Sequence, residues 1–262
     1  MVREFFQREN IEYFGELPVS CLSVIDEKKM ARLTEKMGTV ESAVVFLIPY
    51  SVGQKTTNLS VYAQVRDYHL YARELSCRFG EFVKEKSLDL SFYLAADSSP
   101  IDERLGVAMA GLGVLGENGL LINERYGSFV FIGEIFLSRS LDPEVPQEIK
   151  KCISCRKCRD ACPTGAVGDK RKEKCLSRIS QKKNRDPEEE LLLKKAECKW
   201  GCDLCQNVCP YNENAKETPI GFFREGLVRF LSEEVIHSPK EEFETRAFSW
   251  RGRELLKRNM GK

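Results

Sequence analysis

The chain is short of several things, and each shortage excludes something. No apolar run approaches the about 18–20 residues that a membrane-spanning helix needs. The N-terminus, Met-Val-Arg-Glu-Phe-Phe-Gln, has no long apolar stretch behind its positive charge, so no secretory signal is expected. Net charge is almost absent. The 41 Lys and Arg against 40 Asp and Glu leave +1, so no global field draws the protein to nucleic acid or membrane, and local patches must be judged separately. Histidine is scarce too; only His69 and His237 are present, so a histidine metal ligand is not indicated. A cytoplasmic protein is the expectation. In a reducing compartment, cysteines serve as metal ligands or reactive thiols more often than as disulfides.

Cysteine is what the chain has in abundance, and in one place. Nine of its 11 cysteines fall between Cys152 and Cys209. Cys152, Cys155, Cys158 and Cys162 form C-x2-C-x2-C-x3-C followed by Pro163; Cys202, Cys205 and Cys209 form C-x2-C-x3-C followed by Pro210. This is the bacterial run for [4Fe-4S] cubanes, once whole and once shortened. In two-cluster ferredoxins the cysteine before proline ligates the other cluster. That rule puts Cys152, Cys155, Cys158 and Cys209 on one cluster. It puts Cys162, Cys202 and Cys205 on a second, with either Cys175 or Cys198 to complete it. The alternative is zinc, which paired C-x2-C knuckles bind. The full run is the more specific signature, and the cysteines are too many for one tetrahedral site.

The remainder reads as alternating helix and strand. Residues 1–26 suggest a short helix and then a strand over the apolar run Val19–Ile25. Cys21 in that run, and Cys77 further on, read as packed. Met30, Leu33 and Met37 have helical spacing, and Val40–Ile48 reads as a buried strand. Apolar residues recur at three- and four-residue steps from Val61 to Phe82, which predicts one helix over 61–83 containing Asp67-Tyr68-His69. Leu90–Ala96 predicts a strand ending at Asp97-Ser98-Ser99-Pro100. An acid there either caps the next helix or sits at a ligand crevice. Gly111, Gly113 and Gly116 match G-x-G-x-x-G, but a helix precedes them and a strand follows, the reverse of a dinucleotide-binding turn. They read instead as backbone that approaches something closely, or as a plain turn. Ser128–Leu137 is a further apolar strand. The class expected is α+β. An α/β domain with a mixed sheet occupies 1–145, a two-cluster ferredoxin-like domain 146–220, and a helical tail 221–262. Residues 170–185 carry eight basic side chains against Glu173 alone, and 246–262 six against Glu254. Such stretches are solvated surface, phosphate-neutralising patches, or docking sites for an acidic electron donor.

Several segments together resemble the epoxyqueuosine reductase family. They are Tyr62 with Asp67-Tyr68-His69, Asp97-Ser98-Ser99-Pro100, Ala110-Gly111-Leu112-Gly113 to Ile122, Tyr126-Gly127-Ser128-Phe129 to Gly133-Glu134, both cysteine motifs, and Ser249-Trp250-Arg251-Gly252. They occur in the family's order. The resemblance implies cobalamin beside two [4Fe-4S] clusters and reduction of epoxyqueuosine in tRNA to queuosine, with tRNA as partner. It also implies an external low-potential donor such as ferredoxin or flavodoxin. It matches Asp97 to the proton donor and Cys175 to the ligand that completes the second cluster, leaving Cys198 spare. It places Gly111, Gly113, Gly116 and Asn118 near the corrin, and Tyr68 and His69 at the border of the pocket. Val114 and Glu117 stand where the family usually has Trp and Lys. The chain stops just after Ser-Trp-Arg-Gly, where longer members continue into helical repeats, so a short form is expected. The other functional classes are a dehalogenase-like reductase of a small molecule and a ferredoxin-like electron carrier.

Overall fold

The structure, a computed structural model, describes residues 2–169 and 171–261. It divides into two compact units. The first comprises Met1–Pro49, Tyr68–Gly116 and Leu120–Cys152; the second comprises Tyr50–Asp67, Glu117–Gly119 and Ile153–Lys262. This differs from the expected boundary near residue 145, because two insertions from the N-terminal half belong with the cysteine-rich unit. The described residues beyond 221 are not a separate tail either. Phe243, Phe248, Leu255 and Leu256 belong to that unit's core cluster, alongside Leu59 and the fully buried Trp200.

The first unit is built on strands β1 (Phe14–Pro18), β2 (Ser42–Pro49), β3 (Phe92–Ala95) and β6 (Val130–Leu137), with a small hairpin of β4 (Val114–Leu115) and β5 (Leu121–Ile122) beside them. The sheet order is β1-β2-β6-β3. Every neighbouring pair is antiparallel, not the mixture expected. The reason lies in the placement of β6. β2 and β3 run parallel to each other, joined through the helix Tyr68–Glu85, as in a βαβ unit. β6 enters between them and runs opposite to both, which is a split βαβ arrangement. The α+β class holds.

All eight residues of β2 are buried, as a strand covered on both faces should be. On one face Phe46 meets Phe6, and Phe5 packs edge-on to Phe79 of the Tyr68–Glu85 helix. On the other, Val45, Leu47 and Phe136 share a cluster with Leu33 of the helix Glu27–Met37 and Val107 of the helix Glu103–Met109.

Local differences from the sequence reading have physical causes. The strand expected over 19–25 lies earlier, at β1, whose Gly15, Glu16 and Pro18 are poor strand formers. Pairing with β2 supports it, and the Glu16 carboxylate accepts from Ser42 Oγ at 2.6 Å and from the N–H groups of Leu141 and Asp142 at 2.8 Å. The helix expected over 61–83 is two helices, Val61–Gln64 and Tyr68–Glu85. Between them Arg66 bridges to Arg246, and the Asp67 N–H donates to the Thr245 carbonyl at 2.8 Å. Cys21 and Cys77 are exposed, not packed.

Gly133 on β6 faces Phe46 across the sheet, and a Cβ there would lie 2.4 Å from the Phe46 ring. That ring is held by Phe6, so it has little room to move. Gly133→Ala is therefore expected to cost about 1–3 kcal/mol by overpacking. The check is a lower urea midpoint with an unchanged slope.

Candidate active site and cysteine region

β3 ends at Ala95, and the chain turns at Asp97, whose φ of 61° lies in the left-handed region that Asp tolerates better than most residues. The turn is sewn to the preceding loop. Ile25 N–H donates to the Pro100 carbonyl and Asp102 N–H to the Ser23 carbonyl, both at 2.8 Å. Lys29 Nζ donates to Ser98 Oγ at 3.1 Å. The cap of the following helix is Asp102, which accepts from the N–H groups of Arg104 and Leu105. Asp97 does not cap that helix; its carboxylate is exposed.

Two further carboxyl groups stand behind it. Glu103, in the first turn of the capped helix, accepts a hydrogen bond from the Asp97 N–H. Glu134 is fully buried on β6, opposite Ala95 on one side and Val45 on the other. Neither Glu134 oxygen has a hydrogen-bond partner among the described residues, nor has Oε1 of Glu103. Burial raises the Glu103 carboxyl to about 7; the Asp97 charge pushes the same way, and the Asp97 N–H works against it. Burial also raises Glu134 well above the usual carboxylate range, helped by the charges of Glu103 and then Asp97. A buried, unpaired carboxylate is costly enough that such a group holds its proton. Glu134 was not singled out as a site residue. By strand alternation it looks like any polar residue on a solvent face, and only its burial reveals it.

The glycine-rich stretch forms the β4–β5 hairpin. A Cβ on Gly113 would lie 2.5 Å from the Ile122 carbonyl oxygen, so the close approach made here is to the chain's own backbone. A Cβ on Gly111, whose φ is 73°, would meet the Gln147 side chain. Gly116 N–H donates to the Leu120 carbonyl at 2.9 Å. Asn123, also missed, holds the hairpin by donating to the Leu112 carbonyl at 2.8 Å. Val114, Leu115, Leu120, Val130, Phe131 and Ile132 are only partly buried, leaving apolar surface around the hairpin. A broad apolar ring such as a corrin fits a surface of that kind. Tyr68 stacks on Phe131 at 4.0 Å and packs against the exposed His69 at 4.2 Å.

In the second unit the Asn118 side chain lies beside the Cys205 thiol. Burial raises the Cys205 thiol to about 12, and Cys202 and Cys175 push the same way. Burial raises Cys202 to about 11, again with Cys175 and Cys162 contributing. Cys162, Cys175, Cys202 and Cys205 thus stand near one another. Cys198 instead donates to the Trp200 carbonyl at 3.0 Å, within the chain's own packing. In the first motif, Ser154 and Arg156 adopt φ of 53° and 63°, so the loop carrying Cys155 and Cys158 winds tightly. Among the described residues, no three His, Cys, Asp or Glu side chains are gathered as one metal ion requires. A cubane spreads its four thiolates around four irons, and buried thiols that resist ionisation alone suit a cluster that supplies the positive charge. The donor set fits such clusters.

A family model described as a 4Fe-4S double cluster binding domain matches residues 151–212. The chain is 32% identical to the epoxyqueuosine reductase of Bacillus subtilis (strain 168) over 203 residues, covering 74% of this chain and 52% of the relative. It is 33% identical to that of Atelocyanobacterium thalassa over 213 residues, covering 76% of this chain and 68% of the relative. The chain belongs to the epoxyqueuosine reductase family. It spans about half the length of the Bacillus relative. A solved epoxyqueuosine reductase shares its fold at a TM-score of 0.75, with 24% identity, 98% of this chain and 78% of that one covered. Another, solved with an epoxyqueuosine-modified tRNA stem loop, matches at 0.74 with the same identity and coverage.

Against that family background, the basic stretches change character. Lys170 and Lys262 lie outside the described residues. Arg185 has a fully buried side chain, bound to Glu190 at 2.9 Å and to Asn259 at 2.8 Å. Lys182 pairs with Glu189, and Arg171 with Asp169. The acidic first turn of the helix Pro187–Lys195 supplies both glutamates. In the C-terminal stretch Arg246 is buried on the Gly226 carbonyl. Arg253 donates to the carbonyls of Ile236 and Ser238, and Arg258 to those of Lys182 and Lys183. Part of the positive charge in both stretches is internal structure, Arg185 and Arg246 above all.

The raised carboxyls have a thermodynamic consequence. The unfolded chain releases the Glu103 and Glu134 protons near pH 4.5, while the folded chain keeps the Glu103 proton to about pH 7 and the Glu134 proton to well above 4.5. The stabilisation is therefore fully present below pH 4.5 and is lost as pH rises through the folded values. Thermal melts should show Tm falling on the alkaline side. Glu134→Gln, a neutral isostere, should flatten that fall and raise Tm at pH 8.

Proposed function

We propose that this chain reduces epoxyqueuosine in tRNA to queuosine, with Asp97 as the proton donor. The observation that carries the reading is the exposed Asp97 carboxylate, presented at the end of β3 and backed by two carboxyl groups that hold protons. Membership of the family supports it. Removing the epoxide oxygen as water consumes two electrons and two protons and leaves an alkene. The electrons come from an external low-potential donor such as a ferredoxin or flavodoxin.

Cys152, Cys155, Cys158 and Cys209 would hold one [4Fe-4S] cluster; Cys162, Cys175, Cys202 and Cys205 would hold the other. Tyr68, His69, Gly111, Gly113 and Gly116 would hold cobalamin. When bound, the clusters carry single electrons and cobalamin supplies low-valent cobalt as the reductant. The chain's own residues do the rest. The turn at 97–102 orients the acid, and Asp97 gives its proton to the leaving oxygen. The half-exposed apolar side chains around the β4–β5 hairpin exclude water from the reacting bond.

The test is incubation of anaerobically reconstituted, reduced protein with epoxyqueuosine-containing tRNA, followed by nucleoside mass spectrometry. Queuosine is the expected product; its absence from a fully loaded protein would reject the substrate. Asp97→Asn should keep the cluster absorption and lose about 10²–10⁴-fold in rate. Cys175→Ala should lose about half of the bound iron, as expected for one of two four-iron clusters, whereas Cys198→Ala should retain all of it. Iron analysis and cluster spectra make that comparison.

A further inference from the structure

The three carboxyl groups of the first unit suggest more than a single acid, because deoxygenating an epoxide needs two protons and one carboxyl group delivers only one at a time. Glu103 and Gly106 are one turn apart on the same helix face. Gly106 packs so closely on β2 that a Cβ there would lie 3.4 Å from Val45. Val45 is the β2 partner of Glu134. The close packing of this helix therefore sets Glu103 over Glu134, and β3, which pairs with Glu134 at Ala95, leads two residues later to Asp97. The Asp97 N–H closes the arrangement by bonding to Glu103. Glu134 is fully buried with neither oxygen partnered among the described residues, in a position that packing alone would fill better with an apolar side chain. Arg104, the nearest cation on the same helix, pairs with Asp102 at 3.5 Å; Lys29, from the helix Glu27–Met37, bonds to Ser98. Among the described residues, Asp97, Asp102 and Arg104 act on Glu103, and Glu103 and Asp97 in turn act on Glu134.

We propose that Glu103 and Glu134 form a buried proton store that recharges Asp97, so that one exposed acid delivers both protons of the reaction. The inference rests on the epoxide-reducing reading above. The Glu103 carboxyl passes its proton to the Asp97 carboxylate, which gives it to the departing oxygen. Glu134 refills Glu103, and the same relay through Asp97 delivers the second proton and completes water. Solvent refills the store after product leaves. Two electrons from the external low-potential donor balance the two protons, and no other reactant is needed. Glu103 and Glu134 act through Asp97 and do not touch substrate.

Two readings test this on the holoenzyme, one of them independent of turnover. Infrared difference spectra between pH 6 and pH 8 should show a protonated carboxyl band that titrates near neutrality and is missing in Glu103→Gln. In Asp97→Asn the band should remain, with its midpoint moved to lower pH. In the tRNA assay, Glu103→Gln should keep its clusters and KM, lose about tenfold in kcat, and lose the wild-type decline in rate above neutral pH. Where Glu103→Gln fails to load clusters, Glu134→Gln carries the same kinetic reading and should leave the Glu103 band in place. A band that survives in Glu103→Gln overturns the proposal, as does a midpoint indifferent to Asp97→Asn, or wild-type rate and pH profile in both Gln variants. A loaded wild-type protein that makes no queuosine rejects the substrate reading instead. The proton store then stands or falls on whether the midpoint moves in Asp97→Asn.

Discussion

The cysteine-rich unit depends on one buried carboxylate. Asp203 is almost fully buried between the cysteines at 202 and 205. It accepts from Ser60 Oγ at 2.6 Å, Val61 N–H at 2.7 Å, Thr56 Oγ1 at 2.8 Å and Gln206 Nε2 at 3.0 Å. Three of these donors lie about 140–150 residues away in the chain. A buried charge is tolerated only when donors surround it, and each such bond is stronger than a neutral one. Residues 50–67 are consequently part of this unit, although their sequence follows a strand of the other. Ser60 N–H also bonds to the Trp200 carbonyl at 2.9 Å, which ties the segment to the buried indole. Regular structure is scarce around the cysteines, so this polar junction and the small cluster about Trp200 supply much of what a longer helix or sheet would.

The first unit handles its buried charge in the opposite way. Glu134 has no donors among the described residues, and it stays buried by remaining neutral. The two carboxylates differ in their surroundings, not their chemistry. One is ringed by donors and belongs to the scaffold. The other faces Glu103 and Asp97, whose charges add to the cost of ionising it. Strand order produces that second environment. Because β6 is inserted between β2 and β3, its polar residue is shut inside the sheet rather than left at an edge.

The parts of this architecture that could be read along the chain are those whose constraints are local. Ligand spacing marked the cubane motifs, because thiolates of one loop must reach one cluster. β2 and β6 showed as apolar runs because both of their faces are covered. The helix ahead of the glycine-rich stretch showed as well, and so did Asp97, through its place after a strand. β1 did not show, since Gly15, Glu16 and Pro18 oppose a strand and only pairing and the donors around Glu16 overcome them. The break at 65–67 did not show, since the backbone bonds that cause it go to Thr245 and Arg246.

Sequence alone thus determined the kind of chemistry, an iron–sulfur protein with an acid poised after a strand, because ligand number, ligand spacing and side-chain type are written along the chain. It also pointed to the family. Tertiary structure decided the surroundings of each charge. It buried Arg185 and Arg246 inside the scaffold, surrounded Asp203 with donors, and left Glu134 without any. Each outcome depends on which distant backbone or side chain arrives beside the group, and therefore on its dielectric and hydrogen-bond surroundings, which no local pattern records.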